Sequence, residues 1–566
     1  MKLIFAALLL LSPAVRTGFA QIPVEFWEEQ IFPEEIIMLL QPGLSTGITE
    51  PGIFGYEVGM EILRVDTVSA FPVKLPFESP AVYITSRSSG ENLSGQMLRG
   101  KIKYDKWSAG FVSENDSGEN FADFTAGFLS YQTEGTDVVL GNYSAGFGQG
   151  TVLWQGFDWG SYPEQPVYVR KTDFLRGYIS TAENRALWGG AVYRRSGRYS
   201  ISAGYSDAEF DAAGDDNGIT SLQESGYHDS EASRENKDRL GEKLVFGRAK
   251  AGIGKCLEIG ISGIASRFSP GFSEGDSIRE VFDFSGDENS VFGSDFNWKK
   301  DDIDFSGEYS QTSEGGQAVV TGARLRRDKV SFSLSYYSFS EDYWNLHSII
   351  PEGNKTGYSG GLTLKPWPGG VVNLLLDYWK RPWRTYYDEM PPEGEKASVS
   401  MRQKWGNNSV SMRIRRTSSG VGSDLLDRNQ FRLNYEIKAG SVAHRLRFET
   451  MNSVTGDEKH WGYLVSAQSN VPYRKMRGHL SFAFFRVPDY DCRIYLYEYD
   501  VPGRISVPFY SGNGIAANAV YKWEIGGGIT AAVKASWTRY DWRPMDKYER
   551  ILADYSLYIN YSGDIF

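Results

Sequence analysis

Alternation of apolar and polar residues with a period of two constrains the fold of this 566-residue chain more than any other feature. The alternation begins near residue 56 and recurs almost to the last residue. In the stretch 199–205, Tyr199, Ile201 and Tyr205 fall on one face, and serines and a glycine fall on the other. A β-strand places successive side chains on opposite faces, so each such run predicts a strand with one apolar face. The same pattern recurs in residues 330–336, 397–401, 410–414, 431–437 and 529–537.

Such runs occur both in soluble β-sandwiches and in transmembrane β-barrels. Here about 22–26 runs follow one another in one stretch, as in the larger even-numbered barrels, without a boundary between sandwich domains. Several apolar faces end in tryptophan, as at Trp298, Trp405 and Trp537. Aromatic residues make up 14% of the chain, and barrels concentrate Tyr and Trp in girdles at the membrane interfaces. The sequence therefore predicts an all-β fold, a single large antiparallel transmembrane β-barrel.

The first 20 residues have the layout of a cleavable secretory signal. A charge at Lys2 precedes an apolar run over 3–11, and small residues lead up to Gln21. The apolar run is shorter than the roughly 20 residues of a spanning helix. A retained N-terminal anchor is the alternative. No cysteine lies near the cleavage point, so a lipoprotein is not expected.

Residues 21–55 have a different pattern from the rest of the chain. Two short helices are predicted there, at residues 25–29 and 33–40, and residues 41–43 (Gln-Pro-Gly) end the second. The segment is too short for a core of its own, so we interpret it as a periplasmic piece or a partial plug. The predicted organisation is a signal peptide (1–20), this helical segment (21–55) and an outer-membrane barrel (56–566).

The predicted connections between strands differ in length. Short turns are expected at residues 195–197, 327–329 and 406–408, and long loops at 212–243, 339–356 and 380–395. Short turns that alternate with long loops are typical of periplasmic turns and extracellular loops in outer-membrane barrels. A barrel of this width has a lumen, which is either open or plugged.

Several segments resemble an uncharacterised family of large outer-membrane β-barrels from Gram-negative bacteria. The resemblance is carried by residues 141–154, 180–185, 220–228, 493–500 and 507–514. Many members of that family carry N-terminal helix-hairpin-helix modules, but the first hundred residues contain no Gly-Ile-Gly hairpin motif. The resemblance implies a barrel, an outer-membrane location and an unknown substrate. It does not imply a role in guiding DNA.

Basic residues recur on the predicted polar faces of four neighbouring strands between residues 402 and 447. If the apolar faces meet lipid, these cations line the lumen, because Arg and Lys are costly on the lipid face. Such a basic wall can select anions or hold phosphate and carboxylate groups. The alternative is structural pairing with lumen acids such as Glu436, Glu449 and Glu308. The candidate substrate-facing residues are Arg402, Lys404, Arg413, Arg415, Arg432, Arg445 and Arg447.

Signals of enzymatic, metal or cofactor chemistry are weak. Residues 357–361 match G-x-S-x-G around Ser359, but they enter a strand rather than a strand-to-helix elbow. The glycine-rich run 146–150 has no following helix to hold phosphate, so a strand bend or close turn is expected. The acids of 211–217 lack the spacing of a calcium loop. No zinc pattern, cofactor or catalytic residue is predicted, and a Cys256–Cys492 disulfide is left open.

Three functions remain as hypotheses. The first is a channel or transporter, with a preference for anions through the basic wall. The second is a barrel that anchors a secretion or assembly complex, and the third is an enzyme acting on lipid. The expected partners are outer-membrane lipid, the barrel-assembly machinery and a periplasmic or secretion protein. The net charge of −11 argues against general binding of nucleic acid.

Overall fold

The computed structural model describes Gly18–Phe19 and residues 81–564, except for 91, 157–172, 224, 276, 386–387, 423 and 543–549. The predicted signal peptide, except for Gly18–Phe19, the helical segment 21–55 and Phe566 lie outside the described residues. Gly18–Phe19 forms a two-residue strand paired with Val421 and Gly422.

Twenty-four long strands form one antiparallel barrel, within the range that the sequence predicts. The first twelve are β1 (Ala81–Gly90), β2 (Gly95–Tyr104), β3 (Trp107–Asn115), β4 (Phe124–Gln132), β5 (Thr136–Gly146), β6 (Leu187–Ser196), β7 (Tyr199–Phe210), β8 (Leu240–Ile253), β9 (Leu257–Phe272), β10 (Gly286–Lys300), β11 (Ile303–Thr312) and β12 (Gln317–Arg327). The others are β13 (Val330–Phe339), β14 (Lys355–Leu364), β15 (Gly370–Lys380), β16 (Glu393–Trp405), β17 (Asn408–Gly422), β18 (Asp424–Ala439), β19 (Val442–Thr455), β20 (Glu458–Tyr473), β21 (Met476–Val487), β22 (Gly512–Gly526), β23 (Ile529–Trp542) and β24 (Arg550–Asp564).

The barrel is closed by pairing between the first and last strands. Residues 81–90 of β1 pair with 555–564 of β24 without a register shift, from Ala81↔Asp564 to Gly90↔Tyr555. Closure gives every strand two neighbours, so no edge is left unpaired. Gly563 lies directly opposite Val82, so this pairing runs through Gly563 without a bulge.

The alternation of side chains places apolar residues outside and polar residues inside, as the sequence predicts. In β7, Tyr199 and Ile201 are 67% and 60% exposed, whereas Ser200 and Ser202 are each 7% exposed. An apolar exterior on a closed antiparallel barrel is the arrangement that the hydrocarbon core of a membrane requires. The protein is therefore an outer-membrane β-barrel.

The two ends of the barrel differ, and we call them the turn end and the loop end. At the turn end the connections are short, such as residues 197–198, 328–329 and 406–407, as predicted. The long connections, including 211–239, 340–354 and 381–392, lie at the opposite end, close to the predicted loop bounds. By the convention of such barrels, the turn end is periplasmic and the loop end extracellular.

Exposed aromatic side chains ring the turn end. Each begins or ends a strand and points outward: Tyr104, Trp107, Tyr199, Trp405 and Tyr473. Amphipathic rings at this level match the girdle expected where lipid headgroups meet the hydrocarbon core.

Apart from Gly18–Phe19, the helices and short strands of the described part of the chain lie in the long loops. The helices are Glu231–Glu235, Glu183–Arg185 and Tyr490–Cys492. The short strands are Phe174–Gly177, Ala212–Asp215, Gly218–Leu222, Ile494–Tyr495 and Phe509–Tyr510. None of the described helices is long and apolar enough to cross a membrane.

Candidate functional site

The predicted basic wall lies on the inner surface of β16 to β19. Strand register places Arg402 opposite Ser411, Arg413 opposite Arg432, and Arg445 opposite Glu436. The inward direction of these faces is shown by β18, where Arg432 is buried and its neighbour Leu433 is exposed. All seven candidates share this inward face: Arg402, Lys404, Arg413, Arg415, Arg432, Arg445 and Arg447.

A fully buried carboxylate, Glu449, lies at the centre of this wall. Arg432 Nε lies 2.8 Å from Glu449 Oε2, and Arg447 forms a second ion pair with the same oxygen. Arg445 pairs with Glu436 at 2.6 Å. Three of the predicted cations are thus held in ion pairs, which is the structural role that the sequence left open. Contact between the wall and a substrate stays a prediction.

A long loop folds inward over this wall. We call residues 488–511, between β21 and β22, insert B. Arg447 donates a hydrogen bond to the Tyr495 carbonyl at 2.6 Å, and Gln468 donates to the Tyr497 carbonyl at 2.8 Å. Lys534, buried on the inner face of β23, lies 2.7 Å from Asp500 of the insert. Side chains of the lumen wall therefore bind the insert along its length.

Apolar packing reinforces the attachment of insert B. Cys492, Ile494, Leu496 and Tyr510 of the insert are buried in one cluster with side chains of the barrel wall such as Phe485. Tyr510 also donates a hydrogen bond to Glu498 at 2.6 Å. The insert is thus packed like a small core inside the barrel.

A second insertion fills the opposite side of the lumen. We call residues 147–156 and 340–354, which follow β5 and β13, insert A. Tyr343 and Asn345 donate hydrogen bonds to the Thr151 carbonyl at 2.6 and 3.0 Å, which joins the two loops. His347 lies 2.7 Å from Glu242 on the inner face of β8.

The glycine-rich run 146–150 forms the close turn that the sequence predicts, and it surrounds a carboxylate. Glu308, buried on the inner face of β11, accepts hydrogen bonds from the backbone N–H of Gln149 at 2.6 Å and of Thr151 at 3.0 Å. A Cβ on Gly148 would lie 2.9 Å from this carboxyl group. The turn therefore binds a side chain of the barrel itself.

Gly148→Ala is expected to destabilise the barrel more than Gly197→Ala. Gly148 and Gly197 have similar φ angles of +55° and +60°, but a Cβ on Gly197 meets nothing within 4 Å. The left-handed backbone alone costs a residue other than glycine about 1–2 kcal/mol. Only Gly148→Ala adds a clash with Glu308. Urea unfolding followed by Trp fluorescence measures both, and equal losses would contradict the proposed fit.

Three loops meet at His228 at the loop end. His228 Nδ1 lies 2.5 Å from Asp123 Oδ2, and Nε2 lies 3.0 Å from Asp211 Oδ2. The backbone N–H of His228 donates to Glu119 Oε1 at 2.7 Å, and Glu183 Oε2 lies 4.0 Å from Nδ1. Burial raises the pKa of Glu183 to about 8, with a further contribution from nearby carboxylates. We call these five residues the His228 cluster.

This cluster is not predictable from the sequence, because its residues come from three separate loops. Of the acids proposed and rejected as a calcium loop, only Asp211 belongs to it. Asp215 and Asp216 lie instead at the tip of the hairpin formed by residues 212–222.

Two other sequence features have structural roles. Ser359 lies inside β14 and shares a hydrogen bond of 2.7 Å with Ser335, so the strand-to-helix elbow of a serine hydrolase is not formed. Cys256 lies in the turn after β8 and Cys492 in insert B, at opposite ends of the barrel, and both are free thiols.

Comparison with known proteins finds likeness at the level of the fold. No family model and no curated sequence matches the chain. The FrpB iron transporter from Neisseria meningitidis superposes with a TM-score of 0.42 at 10% identity, covering 86% of this chain and 82% of FrpB. The siderophore receptor PirA from Acinetobacter baumannii gives 0.42 at 8% identity, covering 87% and 81%. The P pilus usher pore PapC gives 0.39 at 9% identity, covering 86% and 100%. These scores identify no substrate, and membership of the family with helix-hairpin-helix modules stays a prediction.

Proposed function

We propose that the protein is an outer-membrane channel or transporter for small anionic solutes, opened by displacement of the two inserts. The observation that carries the proposal is the basic inner surface at the turn end of a protein whose net charge is −11. Inward-facing cations near that end are not confined to the wall of β16 to β19. Six more lie on other strands around the barrel: Lys103, Arg195, Lys250, Arg326, Arg477 and Lys522.

A small cationic recess supports the preference for anions. A cavity of about 160 Å³ at the turn end is lined by five basic side chains: Arg324, Arg326, Arg327, Lys329 and Lys365. Asp304 pairs with two of them, Arg324 at 2.9 Å and Arg326 at 3.0 Å. The remaining positive charge favours phosphate or carboxylate groups at this mouth of the barrel.

The inserts supply the gate in this proposal. Insert A and insert B are bound to lumen side chains by ion pairs, hydrogen bonds and apolar contacts. A solute that crosses the barrel must therefore pass beside the inserts or displace them. Hydrogen bonds and ion pairs between loop and wall can be exchanged for water, which makes such loops suitable moving parts.

The partners follow from the same architecture. The apolar exterior would contact outer-membrane lipid, and insertion of such a barrel would depend on the barrel-assembly machinery. A periplasmic or secretion protein that docks on the barrel remains the second hypothesis, tested by whether a stable partner co-purifies with the intact chain.

Charge reversal in the lumen tests the proposal. In planar bilayers under a salt gradient, the reversal potential of the purified protein should indicate anion selectivity. The triple variant Arg402→Glu, Lys404→Glu and Arg413→Glu should shift it strongly toward cations, because rings of lumen charge set selectivity.

The matched control makes the same change in charge on the outer surface. Lys243, Arg267 and Arg539 are exposed and point outward, so their replacement by Glu should leave the reversal potential unchanged. The channel hypothesis would be contradicted if neither the wild-type protein nor a variant with its inserts released conducted ions. Equal shifts in both triple variants would contradict a selective lumen wall.

A further inference from the structure

The His228 cluster holds more carboxyl groups than basic groups. Four carboxylates, those of Glu119, Asp123, Glu183 and Asp211, surround one imidazole. Lys237 Nζ lies 2.6 Å from Asp123 Oδ2 and supplies a single positive charge. Carboxylates that are withdrawn from water are costly unless cations or hydrogen bonds compensate them.

Glu183 is the least compensated member of the cluster. Its side chain is only 10% exposed and points toward His228 Nδ1, with 4.0 Å between the two atoms. Among the described residues, no donor forms a hydrogen bond with its carboxylate. A buried carboxylate aimed at an imidazole nitrogen without a hydrogen bond indicates a place for a cation.

The donor atoms have the chemistry and spacing of a metal site. One donor each from Glu119, Asp123 and His228 all lie within 4.8 Å of one another. Zn²⁺ holds nitrogen and oxygen ligands at about 2.0–2.2 Å, so small side-chain rotations would bring these atoms around one ion. An imidazole among carboxylates favours a divalent transition metal over Ca²⁺, which prefers oxygen ligands alone.

The second nitrogen of His228 is already oriented as metal-bound histidines usually are. Asp211 Oδ2 lies 3.0 Å from Nε2 and can accept its proton. Nδ1 shares a hydrogen bond of 2.5 Å with Asp123 Oδ2, so a metal ion bound here would take the place of that proton. Asp211 is itself fixed by hydrogen bonds from the side chain of Asn184 and the backbone N–H of Asp238. This pair therefore fixes the direction of the ring.

We propose that His228 Nδ1, Glu119 and Asp123 bind one divalent transition-metal ion, with Glu183 as a further carboxylate ligand and Asp211 as a positioning residue. The ligands come from the β3–β4, β5–β6 and β7–β8 loops. The bound ion therefore joins these three loops at the extracellular mouth and stabilises their arrangement more strongly as its free concentration rises.

Metal titration of the intact protein tests the site. The full chain, without a histidine tag and stripped with a chelator, is titrated with Zn²⁺ in detergent micelles by isothermal calorimetry. One saturable site per chain is expected. His228→Ala should abolish it, and Asp211→Asn should weaken it by about 10- to 100-fold, the usual effect of losing a partner of a metal-bound histidine.

The matched control is His460→Ala. His460 also lies at the loop end and has a carboxylate neighbour, Glu458, at 3.7 Å, but its replacement should leave the titration unchanged. Absence of saturable binding by the wild type overturns the proposal. So does binding that survives His228→Ala, or binding of Ca²⁺ alone. If His228→Ala fails to give a heat-modifiable folded band on a gel, Glu119→Gln provides the same test.

Discussion

Glu449→Ala is expected to lower the free energy of unfolding by about 3–5 kcal/mol, the cost of leaving buried charges without their partner. Glu449 is fully buried and binds both Arg432 and Arg447. Its removal takes a shared carboxylate away from two buried guanidinium groups inside the barrel. It also loosens Arg447, which holds the Tyr495 carbonyl of insert B. Urea unfolding in lipid vesicles, followed by Trp fluorescence, measures the loss.

Glu436→Ala is the matched control. Glu436 also pairs with an arginine of the wall, Arg445, but its side chain is 27% exposed. Water compensates the charges of a partly exposed pair, so a loss of about 1 kcal/mol or less is expected. Equal losses for the two variants would show that burial of Glu449 does not determine its contribution.

Removal of residues 493–506 from insert B is expected to raise the single-channel conductance severalfold. This segment carries Tyr495, Tyr497 and Asp500, the contacts to the wall on β19, β20 and β23. Without it, the lumen beside Arg432 and Arg447 opens to solvent. The anion preference should increase as well, because more of the basic wall then faces the permeating ions. Planar-bilayer recordings before and after the deletion measure both changes.

A reversible tether provides the control for this deletion. Ser453 Oγ on β19 lies 3.0 Å from the free thiol of Cys492 in the full-length insert. Ser453→Cys would place two sulfur atoms close enough for a disulfide, which fixes the insert to the wall under oxidising conditions. With the disulfide formed, the full-length variant should keep a low conductance. After reduction, its conductance should match that of the wild-type protein. Unchanged conductance after the deletion would show that insert B does not obstruct the pathway.

The sequence by itself determined the barrel, because the period of a strand is local. Each side chain alternates with its neighbour, so the lipid-facing and lumen-facing sets of β7, β13, β18 and β23 can be assigned without knowing which strands pair. The same local rule placed all seven candidate cations on the inner surface. Short and long connections likewise predicted which residues gather at each end of the barrel.

Only the tertiary structure decided what fills the lumen and which charges pair there. Insert A binds Glu308, 159 residues away in sequence, and insert B binds side chains of six different strands. The His228 cluster joins residues from 119 to 228. Loop conformation carries no period and depends on contacts distant in sequence. The chain's alternation therefore specifies the wall of the barrel, while long-range charge pairing and packing specify the inserts and the cluster at its mouth.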